Sequence, residues 1–298
     1  MTDRWFVVVN PAAGGGRCGK RAPEALDRLR AGGLDLEVFE TAGPGHATER
    51  VRKAWQEGFR KYIGVGGDGT TYEIVNGVFP HEGEERPTLA MLPLGTGNSF
   101  LRDFAITDHE AALRAILKGD TRPCDVVKAT HAGGELHYLN ILGLGFSAEV
   151  GALTNRRFKP FGAAGYVLAV FITAARLAHP AFSIRLDGGA TDARPCVLLS
   201  FSNSRYTGGT MMMAPHADTG DGLLDVIRIG AVGRSYFVRS FPSIFAGKHV
   251  DRPDVEETRA KAIDLDLPGP VDVMVDGEVL ELALSRLEVV PGAVEVVA

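Results

Sequence analysis

The chain has 298 residues, a formal net charge of −5, and apolar and charged fractions of 45% and 23%. These values describe a globular protein large enough for two cores, and the negative balance argues against non-specific nucleic-acid binding as its main task. Cys18, Cys124 and Cys196 stand far apart without a CxxC pair, so a reducing, cytoplasmic setting is expected rather than a disulfide framework or zinc site.

Residues 4–9 read as a strand ending at Asn10-Pro11-Ala12-Ala13-Gly14-Gly15-Gly16, where proline and glycine force a turn. The run lacks the long apolar core of a signal peptide. Leu26 and Leu29 at helical spacing predict a helix over 22–29, closed by Gly32-Gly33. A strand over 34–39, a loop at Thr41-Ala42-Gly43-Pro44-Gly45-His46 and a helix over 47–59 follow. The apolar run 62–65 leads into Gly66-Gly67-Asp68-Gly69-Thr70 and then a helix start at 71–76. Strand 88–92 ends at Gly95-Thr96-Gly97-Asn98. Strands that alternate with helices and end in glycine loops predict an α/β domain with a parallel sheet whose ligand lies at the strand C-termini.

Past residue 120 the pattern becomes β-rich, with strands predicted over 124–130, 135–142, 182–186, 195–203, 223–229, 271–275, 279–284 and 287–290. Helices are expected over 163–177 and 235–245. The apolar stretch 161–178 contains Arg176 and is shorter than the ~20 residues a bilayer requires. It reads as a buried helix, with an interfacial role as the alternative. The expected boundary lies near residue 125: an α/β domain over 1–125, completed by 291–298 through a last strand over 294–297 that returns to it, and a β-sandwich over 126–290.

Three glycine loops after strands can converge on one crevice and hold phosphates on backbone N–H groups, with the Thr70 and Thr96 hydroxyls in support. Asp68 inside such a loop repels phosphate unless a cation intervenes, which points to Mg²⁺. Neither GxxxxGK[ST] nor a GxGxxG after the first strand is present, which disfavours a P-loop enzyme and a standard dinucleotide fold. Asp276-Gly277 reads as a two-residue hairpin turn, and Asp218-Thr219-Gly220-Asp221-Gly222 as either an oxygen-rich cation site or a surface turn. Met211-Met212-Met213 reads as core filling in preference to an acyl-chain cleft. Arg156, Arg157 and Lys159 beside Phe158 and Phe161 read either as a contact for anionic lipid or as a solvated loop.

Asn10-Pro11 with Gly14-Gly15-Gly16, Gly66–Thr70, Pro93-Leu94-Gly95-Thr96-Gly97-Asn98, Gly143-Leu144-Gly145-Phe146, Asp221-Gly222-Leu223-Leu224-Asp225-Val226 and Asp276-Gly277-Glu278 together resemble the diacylglycerol kinase catalytic-domain family. This family of lipid kinases also includes sphingosine and ceramide kinases. The resemblance spans nearly the whole chain. It implies an NAD-kinase-like nucleotide domain joined to a β-sandwich with the active site between them, ATP and Mg²⁺ as cofactors, and a lipid acceptor met peripherally at the inner membrane face. Nucleotide contacts implied are Asn10, Pro11, Ala12, Ala13, Gly14, Thr41, Gly66, Gly67, Asp68, Gly69, Thr70, Glu73, Gly95, Thr96 and Asn98. A Mg²⁺ site is implied at Asp218, Asp221 and the Leu223 backbone, and the catalytic residues implied are Asp276 and Glu278, either of them the base, together with Asp68.

An NAD kinase shares the Gly-Gly-Asp-Gly-Thr loop and is the nearest rival, although the Asn10-Pro11 loop and the 221–226 motif fit lipid kinases better. A nucleotide-binding regulator without catalysis is the rival from another class. The stretch Asn98-Ser99-Phe100-Leu101-Arg102 departs from the Asn-Asp-Phe-Ala-Arg type of many bacterial relatives. A second copy of the chain is left open as a partner.

Overall fold

A computed structural model describes residues 4–79, 81, 85–95, 97–158 and 161–298, with the backbone alone described at 162–164 and 166. The chain divides into two compact units, Met1–Val126 with Pro291–Ala298, and Val127–Val290.

The first unit runs β1 (Trp5–Val9), α1 (Arg17–Ala31), β2 (Leu36–Glu40), α2 (His46–Gln56), β3 (Lys61–Gly66), α3 (Asp68–Val78), β4 (Thr88–Pro93), α4 (His109–Lys118) and the start of β5 (Thr121–His131). Its strands are parallel in the order β2-β1-β3-β4. Every residue of Trp-Phe-Val-Val-Val in β1 is buried, as expected of a central parallel strand covered on both faces. The helix α1 is longer than the leucine spacing predicts. Cys18 and Ala22 extend its buried face, and Pro23 costs it one backbone bond without ending it.

The second unit continues with β6 (Gly134–Tyr138), β7 (Ile141–Gly145), α5 (Phe146–Leu153), α6 (Gly162–Ala174), β8 (Ser183–Leu186), β9 (Thr191–Asp192), β10 (Cys196–Ser202), β11 (Tyr206–Thr207), β12 (Met211–Met212), β13 (Leu224–Gly230), α7 (Arg234–Ser240), β14 (Val255–Ala260), β15 (Ala262–Asp266), β16 (Val271–Val275), β17 (Glu278–Leu282) and β18 (Leu284–Val297). Six strands form an antiparallel sheet in the order β14-β13-β10-β7-β16-β17. Elsewhere in the unit β15 pairs with β8 and with the first part of β18, while β5 and β6 form a hairpin. The core gathers Phe146, Val150, Val170, Leu198, Ile227 and Phe237, and it takes in Met211 and Met213 as filling.

Three sequence expectations change. The strand predicted over 135–142 is two strands, because the N–H groups of Leu139, Asn140 and Ile141 turn to the carboxylate of Asp276. The strands predicted over 287–290 and 294–297 are one, β18. It passes Pro291-Gly292 with Gly292 at φ 55° and its N–H donated to Asp125 at 2.7 Å. The helix predicted over 235–245 stops at Ser240 and continues as a 3-10 turn, Phe241–Ala246, that begins next to Pro242. The helix α5 and the strands β14 and β15 carry charged or mixed sequences and escape the pattern reading.

One buried charge ties β13 to its surroundings. The Arg228 side chain is 5% exposed, its Nη2 lies 3.1 Å from Asp192 Oδ2, and its Nη1 donates to the Arg194 carbonyl at 2.8 Å. Hydrogen bonds from Arg194 hold the Asp192 carboxyl down at about 2. A depressed carboxyl stabilises the fold above its unfolded value near 4, and this contribution is lost as pH falls through the folded value. Asp192→Asn is therefore expected to cost about 1–2 kcal/mol at pH 7, discounted for partial exposure. Urea unfolding should show the gap between wild type and variant shrinking from pH 5 to pH 2.

Candidate active site

The C-terminal ends of β1, β3 and β4 bring the three glycine loops together. The Asn10 N–H donates to the Val65 carbonyl at 3.0 Å, the Gly95 N–H to the Gly66 carbonyl at 2.7 Å, and the Asp68 N–H to the Gly97 carbonyl at 3.0 Å. Side chains are excluded where these backbones meet. A Cβ on Gly67 would lie 2.6 Å from the Gly97 oxygen, and one on Gly95 would lie 2.9 Å from both the Gly66 oxygen and the Gly67 nitrogen. Gly14, Gly15 and Gly16 take φ of 63°, 67° and 85° in succession, a left-handed run only glycine adopts readily. At Gly14 an added Cβ would meet the Leu94 carbonyl at 2.9 Å. Gly14 therefore lies against Leu94, in the loop that follows β4.

The acids in this region hold backbone. Asp68 Oδ2 accepts the Ser99 N–H at 2.9 Å, which fixes the turn leading into the 3-10 helix Phe100–Phe104. Burial pushes the Asp68 carboxyl upward, and donors from Ser99 and Phe100 oppose the rise. Glu73, on α3, accepts the N–H groups of Gly45 and Ala47 at 3.0 Å each. It thereby caps the start of α2 and shapes the loop containing Thr41, whose own N–H donates to the Val9 carbonyl at 2.9 Å. The Asn98 Nδ2 donates to the Gly95 carbonyl at 3.1 Å. At the first turn of α3, after Gly69, Thr70 Oγ1 is buried and has no hydrogen-bond partner among the described residues. Thr96 lies outside the described residues, as does Lys159. Cys18, beneath these loops, is buried with its thiol pushed up to about 11, so it remains a protonated donor to the Val65 carbonyl.

In the second unit, Asp276 and Gly277 have φ of 46° and 88° between paired residues Val275 and Glu278. Two positive φ values define the tight turn that Asp-Gly favours. Asp276 is 4% exposed. Its Oδ1 accepts from Asn140 N–H at 3.1 Å and Ile141 N–H at 3.0 Å, and its Oδ2 from Leu139 N–H at 3.0 Å. A buried polar wall backs this clamp: Asn203 Nδ2 donates to the Leu139 carbonyl at 2.8 Å, and Ser204 donates to Asn140 Oδ1. Glu278, two residues on, is exposed.

The turn before β13 carries Asp218 and Asp221, both exposed. Asp218 Oδ1 accepts from the Gly220 N–H at 3.1 Å, and Asp221 Oδ1 from the Leu223 N–H at 3.0 Å. The Arg259 guanidinium stands 3.8 Å from Asp221. Among the described residues no three acids, histidines or cysteines are arranged to hold a metal ion. The two carboxylates, oxygen donors both, suit a hard cation such as Mg²⁺ in donor chemistry.

Sequence reasoning missed Ser99, Asn140, Asn203 and Asp125. For Asn140, Asn203 and Asp125 the usable signal was a polar residue within a run read as strand, since a buried polar group requires a partner; Ser99 lies in the loop after β4 and carried no such signal.

Residues 4–129 match the family model "Diacylglycerol kinase catalytic domain", and residues 140–298 match "YegS C-terminal NAD kinase beta sandwich-like domain". A protein named diacylglycerol kinase from Mycobacterium tuberculosis is 31% identical, over 97% of this chain and 93% of its own length. One of the same name from Bacillus subtilis is 26% identical, over 91% and 88%. A crystal structure of a diacylglycerol kinase from Bacillus anthracis superposes with a TM-score of 0.73 at 25% identity, covering 99% of this chain and 96% of that one.

Gly95→Ala should lower stability by about 1–3 kcal/mol, because the intruding methyl meets the Gly66–Gly67 backbone. Asp276→Asn should cost about 2 kcal/mol or more, since an amide cannot accept all three N–H donors with both of its heavy atoms. Glu278→Gln should leave the urea midpoint unchanged, and denaturant unfolding of the three variants checks this order.

Proposed function

The chain belongs to the diacylglycerol kinase family, and on that premise we propose that it transfers the γ-phosphoryl group of ATP to a lipid hydroxyl, with diacylglycerol as acceptor and phosphatidic acid as product. The observation that carries this reading is the backbone-to-backbone convergence of three glycine loops at the ends of parallel strands. Such a surface offers N–H groups to phosphates where no side chain intervenes.

In the proposed reaction the acceptor oxygen attacks the γ-phosphorus in line, and the bond to the β,γ-bridging oxygen breaks to release ADP. The hydroxyl proton passes to Glu278, whose exposed carboxylate is suited to the role of general base. Asp276 acts as a positioning residue: its three backbone bonds fix the turn that presents Glu278. Residues 10–14, Thr41, residues 66–70, Gly95, Thr96 and Asn98 form the nucleotide side, with Asp68 and Glu73 holding the loops in shape. Mg²⁺ would offset phosphate charge when bound, and Asp218, Asp221 and the Leu223 carbonyl would hold a structural ion.

Labelled-ATP transfer to a panel of diacylglycerol, monoacylglycerol, ceramide, sphingosine and NAD should mark diacylglycerol. Label found only in NAD would replace this reading by the NAD-kinase one, and no transfer to any acceptor in several detergents would favour a nucleotide-binding regulator. Glu278→Gln should reduce kcat by about 10²–10⁴-fold with an unchanged unfolding midpoint, and a variant retaining wild-type turnover would remove Glu278 as base.

A further inference from the structure

Glu40 is the last residue of β2, at the C-terminal end of the parallel sheet. It stands in register with Val9, the last residue of the neighbouring strand β1, and Val9 leads directly into the loop that begins at Asn10. The next residue, Thr41, is tied to the same point, because its N–H donates to the Val9 carbonyl at 2.9 Å. The charge of Glu40 also reaches Cys18, in the first turn of α1. Burial is the main cause that raises this thiol to about 11, and Glu40 adds to the rise. The carboxylate therefore lies beside the junction of the first glycine loop with α1.

The other acids around β2 are engaged. Asp35 pairs with Arg4 at 3.0 Å, and Glu37 with Arg4 at 3.1 Å and Arg50 at 3.0 Å. Glu73 accepts the N–H groups of Gly45 and Ala47. Glu40 is exposed and forms no hydrogen bond or ion pair with the described residues. An unpaired glutamate is ordinary on an open surface. Next to a surface of peptide N–H groups suited to phosphate it is not, since carboxylate and phosphate repel.

The acid has a use there if it meets an uncharged part of the same ligand that offers donors. A ribose supplies adjacent hydroxyls, and an ionised carboxylate is a pure acceptor with two oxygens. In parallel α/β sheets that bind nucleotides, a glycine turn after the first strand takes the phosphates, and an acid about 20 residues further on takes the ribose 2′-hydroxyl. The loop here lacks the glycine spacing of that fold. The order β2-β1-β3-β4 and an acid at the end of β2 nevertheless reproduce its layout.

We propose that Glu40 is the ribose-binding residue of the nucleotide site, so that the phosphoryl donor is a ribonucleoside triphosphate in preference to its 2′-deoxy counterpart. The inference rests on the nucleotide site of the lipid-kinase reading and adds to it a selectivity for the sugar of the donor.

Equilibrium binding of ATP and dATP to the full chain, with Mg²⁺ and without lipid, tests it. Wild type should bind ATP roughly tenfold to hundredfold more tightly than dATP, the order expected of one hydrogen bond to a charged acceptor. Glu40→Gln should weaken ATP binding about tenfold and leave dATP within about twofold, with an unchanged thermal midpoint. The sign is diagnostic, because removing a carboxylate that merely stands near the phosphates would tighten both nucleotides. Equal affinity of wild type for ATP and dATP, or ATP binding by the variant that is unchanged or tighter, would overturn the proposal. So would an equal loss for both nucleotides with a lowered midpoint, which would make Glu40 a support of the α1 terminus. Turnover separates this inference from the kinase reading. A wild type that prefers ATP through Glu40 yet phosphorylates no lipid would refute that reading and leave the ribose assignment supported, whereas lipid transfer at equal kcat/KM with ATP and dATP would do the reverse. Binding of neither nucleotide would overturn both.

Discussion

The first unit depends on backbone meeting backbone without side chains between. Gly95 donates to Gly66, Asp68 donates to Gly97, and an added methyl at Gly67 or Gly95 would lie under 3 Å from main-chain atoms. Under this constraint the ends of β1, β3 and β4 form a continuous surface of peptide groups. Peptide N–H groups bring partial positive charge close to an anion and have little conformational entropy left to lose once the strands are fixed. Gly67 and Gly95 thus have a geometric task that no residue with a side chain could meet without a shift.

The parallel α/β half was legible because each strand is a short apolar run followed by a glycine loop, and both signals are local. The second half was legible in class but not in detail. Strands β14 (Val-Glu-Glu-Thr-Arg-Ala) and β15 (Ala-Ile-Asp-Leu-Asp) carry charges on exposed positions, so their apolar alternation is short and weak. The break between β6 and β7 had no local cause at all. It follows from Asp276, more than 130 residues away, which takes three successive N–H groups out of the ladder. Similarly, Gly292 is accommodated within β18 because Asp125 receives its N–H. Sequence reading shows where a polar residue is buried by pattern, but only the fold supplies its partner.

The acids were the least legible part of the site. Asp68 reads as a sign of Mg²⁺ because it stands inside a phosphate loop, and the family resemblance implies Asp68 and Glu73 as nucleotide contacts. In the structure their carboxylates bind Ser99, Gly45 and Ala47 N–H groups. The chemistry is related, since a loop shaped to expose some N–H groups to an anion must satisfy the others internally. A carboxylate does this well because each oxygen accepts strongly from backbone donors. Acid next to a glycine loop therefore signals a held loop as readily as a bound cation.

The same logic separates the two acids of the Asp276-Gly277-Glu278 turn. The chain contains a second Asp-Gly turn, Asp187-Gly188, with φ of 46° and 71°. Its Asp187 Oδ1 accepts the N–H groups of Lys261 and Ala262 at 2.9 Å each, and no part of the proposed reaction is assigned to it. An aspartate at the first position of such a turn is directed by its left-handed backbone toward neighbouring main-chain donors, whether or not chemistry occurs nearby. Asp276 repeats this arrangement with three donors and greater burial, so its lone pairs are engaged before any substrate arrives. A base needs a lone pair that is open to the acceptor and a position that holds still. In the proposed reaction the turn divides these requirements: Asp276 holds it in place, and Glu278, at the first position of β17, keeps an exposed carboxylate.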